Sequence, residues 1–91
     1  MTNSVFVDTA GWASLFVETE THHPAAKAWF TQARRGDVGL ITTNYVLIEL
    51  VALLNSPLHV PRADLFRYVD AVKTAPYVRL IYIDETIDEQ A

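Results

Sequence analysis

Val5-Phe6-Val7-Asp8-Thr9 places three large apolar residues directly before a carboxylate and a hydroxyl. A short apolar run of this kind is typical of a strand that is buried on both faces in a parallel sheet. Ligands of open α/β sheets bind just outside the carboxyl ends of the strands, which is where Asp8 stands. Asp8 or Thr9 is also suited to cap a following helix, and one carboxylate can both cap a helix and bind a ligand.

Length and composition limit what the chain can be. Its 91 residues are enough for one small domain, and a hydrophobic content of 51% excludes a disordered chain. The net charge of −4 does not indicate a broad basic surface for nucleic acid. Six basic side chains could still form a local patch: Arg34, Arg35, Arg62, Arg67, Lys73 and Arg79.

The compartment is predicted from what the sequence lacks. The chain has no cysteine, which fits a reducing environment. No apolar run approaches the roughly 20 residues that a membrane span needs. The N-terminus does not have the basic region and apolar core of a signal peptide. We therefore expect a cytoplasmic protein.

Strands and helices alternate along the chain. Apolar periodicity, together with glycine, proline and helix-capping residues, predicts three strands and four helices. The strands are predicted at residues 5–7, 38–42 and 78–83, and the helices at 9–17, 24–35, 45–54 and 62–75. The order β-α-α-β-α-α-β predicts a parallel sheet with helices on both faces. Right-handed crossovers would place all three strand ends on one edge of that sheet.

Glu49 is isolated on an otherwise apolar helix. It is the only charged residue between Asp37 and Arg62, and helical spacing puts it on the same face as Val46. An unpartnered carboxylate costs on the order of several kcal/mol when it is buried. Glu49 is therefore either satisfied by an arginine or by backbone amides, or it faces a cleft beside Asp8 and holds a cation.

Asp8 and Glu49 are predicted to meet at the carboxyl edge of the sheet. Two converging carboxylates repel each other strongly without a cation, and hard oxygen ligands favour Mg²⁺ or Mn²⁺. These ions commonly serve phosphoryl chemistry on nucleic acid. We expect the two carboxylates to lie within about 10 Å of each other. At ligand distances of about 2.1 Å, a wider separation would be too large even for an ion that reaches one carboxylate through a bound water.

Three segments together resemble the PIN-domain family, and most nearly its VapC-type toxins from prokaryotic toxin–antitoxin pairs. They are residues 5–12, reading Val-Phe-Val-Asp-Thr-Ala-Gly-Trp, then His23 with Ala26, and residues 42–49, reading Thr-Thr-Asn-Tyr-Val-Leu-Ile-Glu. The resemblance covers the whole chain and roughly the first two-thirds of a family domain. It implies an α/β fold of three layers, α/β/α, around a parallel sheet.

The resemblance also implies an activity. The family consists of metal-dependent endoribonucleases that cluster acidic residues around Mg²⁺ or Mn²⁺, which positions and activates the attacking water. Asp8 matches the first family acid and Glu49 the second, so both are implied to be catalytic residues and metal ligands. Thr9 or Asn44 would help to orient the site. RNA is the implied substrate, and an antitoxin protein is the implied partner.

The later family acids have no match in this chain. Asp84 matches the residue that closes the third strand and opens the next helix, for which residues 86–89 carry a capping-box pattern. Glu85, Asp88 and Glu89 come too early to replace the absent ligands. The resemblance therefore implies that residues 1–91 are a partial PIN domain, truncated on the C-terminal side and without its last strands. Such a chain should have an incomplete acidic site and little or no nuclease activity.

Two other functions remain open at this point. One is a non-catalytic module derived from a PIN domain, which binds an antitoxin or forms a homodimer through an open sheet edge or exposed helix faces. The other is a different small α/β domain that binds phosphate or metal, such as a receiver-like fold. The receiver-like alternative needs further acids after the first strand and a later lysine, which the sequence does not show.

Overall fold

A computed structural model describes residues 3–84 of the chain. Its elements follow the predicted order, and their boundaries differ from the predicted ones by two residues at most. They are β1 (Ser4–Phe6), α1 (Thr9–Phe16), α2 (His23–Arg35), β2 (Gly39–Thr43), α3 (Asn44–Asn55), α4 (Arg62–Thr74) and β3 (Val78–Ile81). The helix predicted from Thr86, and the acids Glu85, Asp88 and Glu89, lie outside the described residues.

The three strands form one sheet in the order β1-β2-β3, and both pairs are parallel. Val5 lies opposite Leu40, and Ile41 lies opposite Arg79. Because all three strands run in the same direction, their carboxyl ends share one edge, as predicted. The chain enters α1 and α3 directly from that edge.

One hydrophobic core joins the helices to one face of the sheet. Its buried members are Trp12, Ala13, Leu40, Val46, Leu47, Leu50, Leu54, Leu65 and Val72. Phe16 of α1 stacks on Tyr68 of α4 with ring centroids 4.7 Å apart, and Phe30 of α2 packs against the same core. The chain moves in one direction across the sheet, from β1 to β2 and then to β3. Right-handed crossovers in such an order place their helices on the same face of the sheet. Residues 3–84 thus form two of the three predicted layers.

β1 is not buried on both faces, and that prediction is wrong for the described chain. Phe6 is 55% exposed and Val5 is 38% exposed. Within residues 3–84, β1 pairs with β2 alone and stands at the end of the sheet. Phe6 also shares the side of Ile41, opposite the core residue Leu40, and no described helix covers that side.

Apolar spacing along the sequence of α2 and α4 predicts that Trp29 and Phe66 point inward, but the structure leaves both side chains exposed. Trp29 of α2 is 42% exposed and Phe66 of α4 is 60% exposed, whereas Ala33, Leu65 and Val72 on these helices are buried. Apolar spacing marks a wide stripe on a helix, but the width that is buried depends on how many neighbours the helix contacts. No helix within residues 3–84 is both long and apolar enough to span a membrane.

Candidate functional site

Asp8 caps α1, so the capping interpretation is confirmed. Its Oδ1 accepts a hydrogen bond of 2.9 Å from the backbone N–H of Gly11, and its carbonyl accepts one of 3.1 Å from the N–H of Trp12. A Cβ at position 11 would lie 3.0 Å from Cγ1 of Val7 and 3.4 Å from Oδ1 of Asp8, so glycine leaves room for the cap. The Asp8 carboxylate is therefore held in place while it stays exposed to solvent.

Glu49 is tied to the start of α1 by a side-chain hydrogen bond. The hydroxyl of Thr9 donates to Oε1 of Glu49 over 3.1 Å. Glu49 is exposed, and its carboxylate accepts a hydrogen bond from this hydroxyl rather than from an arginine. Thr9 directly follows Asp8, so the bond connects the segment that carries the first predicted ligand to the helix that carries the second.

The sequence offers Thr42, Thr43 and Asn44 as possible N-caps of α3, but the structure gives the three residues different roles. Thr43 is the N-cap of α3, and its Oγ1 accepts a hydrogen bond of 3.1 Å from the N–H of Val46. Asn44 makes two hydrogen bonds with the backbone of Ile83, donating from Nδ2 to the carbonyl over 3.0 Å and accepting the N–H at Oδ1 over 2.8 Å. Asn44 therefore clamps the segment that directly follows β3, whereas Thr9 is the residue that contacts an acid.

Thr42 is a buried member of the same junction, and the sequence analysis did not predict its hydrogen-bond partners. Its Oγ1 accepts a hydrogen bond of 3.2 Å from Nε1 of Trp12 and donates one of 3.2 Å to the carbonyl of Val7. A sequence signal was available, because Thr42 falls two residues after Leu40 on the core side of a strand. A polar side chain in such a position requires a partner.

The described residues do not form an all-protein cage for a metal ion. Within residues 3–84 there is no group of three or more histidine, cysteine or acidic side chains that could enclose a metal ion. Asp84 follows β3 on the same edge of the sheet and does not complete such a group with Asp8 and Glu49. Mg²⁺ is commonly bound by one or two carboxylates, with water and substrate phosphates supplying its other ligands.

Two of the six basic residues that could have formed a nucleic-acid patch are engaged within the chain. The guanidinium of Arg34 lies 3.7 Å from the centroid of the Tyr77 ring and donates to the carbonyl of Val38. Arg67 forms an ion pair with Asp64 at 2.5 Å on the exposed side of α4. Neither side chain stands ready for a phosphate without giving up these contacts.

A solved structure similar to this chain is that of the toxin VapC20 from Mycobacterium tuberculosis, which is described as cleaving the sarcin–ricin loop. The two superpose with a TM-score of 0.76 at 26% sequence identity, over 93% of this chain. The chain has the fold of a VapC-type PIN domain. The predicted resemblance and the predicted fold class, a PIN-like α/β fold with a parallel sheet, are thereby confirmed. No family model and no curated protein matches the sequence.

The chain spans 61% of the length of the VapC20 structure. Within this PIN-like fold, Asp8 comes directly after β1, and Glu49 lies on the helix that follows β2. Both positions belong to the carboxyl edge of the sheet, where ligands of open α/β sheets bind.

Proposed function

We propose that this chain is part of a Mg²⁺- or Mn²⁺-dependent endoribonuclease of the PIN type, the toxin of a toxin–antitoxin pair. The hydrogen bond from Thr9 to Glu49 carries the proposal, because it links the second acid to the residue after the first. The likeness to VapC20 supports the assignment to a toxin ribonuclease. RNA is the proposed substrate, an antitoxin protein the proposed partner and the cytoplasm the proposed compartment.

Asp8 and Glu49 are the proposed metal ligands. A bound Mg²⁺ or Mn²⁺ would position and activate the water that attacks a phosphodiester. Gly11 holds one oxygen of the Asp8 carboxylate and Thr9 holds one oxygen of the Glu49 carboxylate.

Two carboxylates leave most of an octahedral shell to water and to phosphate oxygens. Water therefore competes for every other position around the ion. We expect the 91-residue chain to bind Mn²⁺ weakly and to cleave RNA slowly or not at all.

Calorimetry with Mn²⁺ tests the ligand assignment. We expect Asp8→Asn and Glu49→Gln to abolish binding, while the matched controls Asp70→Asn and Glu18→Gln bind Mn²⁺ like the wild type. Both control residues are exposed and lie away from the β1–α1 junction, on α4 and after α1. Asparagine also caps helices well, so Asp8→Asn should stay folded. Equal Mn²⁺ affinity in all variants would refute the site.

Cleavage of RNA is the second test of the same function. The wild type, Asp8→Asn and Glu49→Gln are incubated with RNA and Mn²⁺, each with a parallel sample in EDTA. Any cleavage by the wild type should vanish in EDTA and in both variants. Cleavage that survives EDTA would contradict a metal-dependent nuclease.

A second candidate function is self-association or antitoxin binding without catalysis. Exposed apolar side chains on α3 and α4 favour it; we name Tyr45, Ile48, Val51 and Phe66 the α3–α4 stripe. Val51 and Phe66 also line a groove of about 240 Å³ between the two helices. Contiguous exposed apolar surface marks interaction sites.

Light scattering of the wild type against Ile48→Glu/Phe66→Glu tests this second function. We propose that the wild type forms a homodimer through the α3–α4 stripe, so the double variant should be monomeric. Phe6→Glu, which changes an exposed apolar residue on the opposite side of the sheet, is the control and should still dimerise. A wild type that stays monomeric at all concentrations would exclude the homodimer, and binding of an antitoxin would then need its own test.

A further inference from the structure

Thr42 is the one polar residue that is fully buried among residues 3–84, with an exposure of 0%. Its hydroxyl has a donor on one side, Nε1 of Trp12, and an acceptor on the other, the carbonyl of Val7. Trp12 is itself buried. A buried hydroxyl is unfavourable unless both of its hydrogen-bonding functions are used, and here they are.

The acceptor of this bond belongs to the peptide group that joins Val7 to Asp8. The N–H of Val7 donates to the carbonyl of Ile41 over 2.9 Å, so β2 holds Val7 through both of its backbone polar groups. Trp12 in turn donates its backbone N–H to the carbonyl of Asp8. The backbone on either side of the Asp8 side chain is therefore held through Val7 and Trp12, and Thr42 hydrogen-bonds to both of these residues.

We propose that Thr42 is a positioning residue for Asp8, acting through the buried hydrogen-bond relay Trp12–Thr42–Val7. The relay sets the orientation of the peptide group before Asp8 and of the first turn of α1. These two orientations determine where the Asp8 carboxylate lies relative to the proposed cation. This inference rests on the proposed metal site. A purely structural Thr42 would contribute to stability without affecting how the folded protein binds Mg²⁺.

The backbone amide of Gly11 is a direct reporter of the Asp8 carboxylate, because it donates to Oδ1. Titration with MgCl₂, followed by ¹H–¹⁵N NMR, should shift the Gly11 signal with saturation. Gly36 and Gly39 lie after α2 and at the start of β2, away from the carboxyl edge, and serve as internal controls. Glycine amides have characteristic positions in such spectra, and the chain has only these three glycines.

Thr42→Val keeps the shape of the side chain and removes the hydroxyl, while Thr42→Ser keeps the hydroxyl. We expect the Mg²⁺ concentration at half-shift to rise about 3-fold or more in Thr42→Val and to stay near the wild-type value in Thr42→Ser. Loss of a group that hydrogen-bonds directly to a metal ligand lowers metal affinity about 10–100-fold. We expect a smaller effect for Thr42, because it acts on Asp8 through Val7 and Trp12.

Each outcome of the titration decides between a positioning role and a purely structural role for Thr42. A folded Thr42→Val variant that titrates like the wild type, or a Thr42→Ser variant that is as weak as Thr42→Val, overturns the positioning role. If Thr42→Val does not fold, Trp12→Phe, which removes only the donor to Thr42, is titrated under the same criterion. A Gly11 shift that is unchanged in Asp8→Asn would refute the metal site itself, which separates that failure from failure of the relay.

Discussion

The hydroxyl of Thr9 donates a hydrogen bond of 3.1 Å to Oε1 of Glu49, a residue 40 positions later in the chain. The bond joins the first residue of α1 to the middle of α3, two helices that leave neighbouring strands at the same edge of the sheet. It restricts the rotamers of a long exposed side chain. Glu49 is therefore partly preorganised beside the segment that carries Asp8.

Removing the Thr9 hydroxyl should weaken metal binding. We expect Thr9→Val to lower Mn²⁺ affinity about 10-fold, because partners that bond a metal ligand commonly contribute this much. Thr9→Ser keeps the donor and should bind Mn²⁺ like the wild type. Calorimetry with Mn²⁺ measures both. The control is Thr31→Val, which removes an exposed hydroxyl that bonds only to the carbonyl of Lys27 on α2; equal affinities in Thr9→Val and Thr9→Ser would contradict the prediction.

Asn44 should matter for stability, because its partly buried side chain holds both backbone polar groups of Ile83. Asn44→Ala leaves the N–H and the carbonyl of Ile83 without their partner, and we expect the free energy of unfolding to fall by about 1–3 kcal/mol. Urea denaturation measures the change, and faster hydrogen exchange at the Ile83 amide should accompany it. Asn55→Ala at the exposed end of α3 is the matched control, with an expected change within about 0.5 kcal/mol. Similar losses in the two variants would argue against the clamp.

The N-cap of α3 gives a prediction with a simple rescue. Thr43→Ala removes the acceptor for the N–H of Val46 and should cost about 1 kcal/mol, whereas Thr43→Ser retains the cap and most of the stability. Thermal unfolding followed by circular dichroism measures both variants. The capping role would be refuted if Thr43→Ser were as unstable as Thr43→Ala.

Two apolar residues on α3 should respond very differently to truncation. Leu50 is 0% exposed, so Leu50→Ala should cost about 2–5 kcal/mol through lost contacts and a residual cavity. Ile48 lies on the same helix and is 64% exposed, so Ile48→Ala should change the free energy of unfolding by about 0.5 kcal/mol or less. Urea denaturation at a low protein concentration keeps any self-association out of the comparison. A large loss in Ile48→Ala under these conditions would mean that this face is covered in the folded protein.

The features that were predictable are those encoded within a few residues of sequence. The alternation of strands and helices followed from the periodicity of apolar residues and from the positions of glycine and proline. The Asp8 cap followed from a carboxylate that stands directly before an apolar helix. Asp8 and Glu49 were found as candidates because each stands alone among apolar residues. The exposure of Trp29 and Phe66 was not predictable, because the spacing of apolar residues on a helix does not state which of them a neighbouring element will cover.

The sequence by itself determined the element order, the parallel sheet and the two candidate acids, since each depends on local period or on a cap such as that of Thr43 on Val46, three residues away. Only the tertiary structure decided what Thr42, Asn44 and Thr9 do. Their partners are Trp12, Ile83 and Glu49, at separations of 30, 39 and 40 residues. A short polar side chain at a strand end can cap a helix, bond a neighbouring backbone segment or hold an acidic side chain, and the local sequence does not distinguish these roles. The choice depends on which groups the packing of helices onto the sheet brings within about 3 Å, which local patterns do not encode.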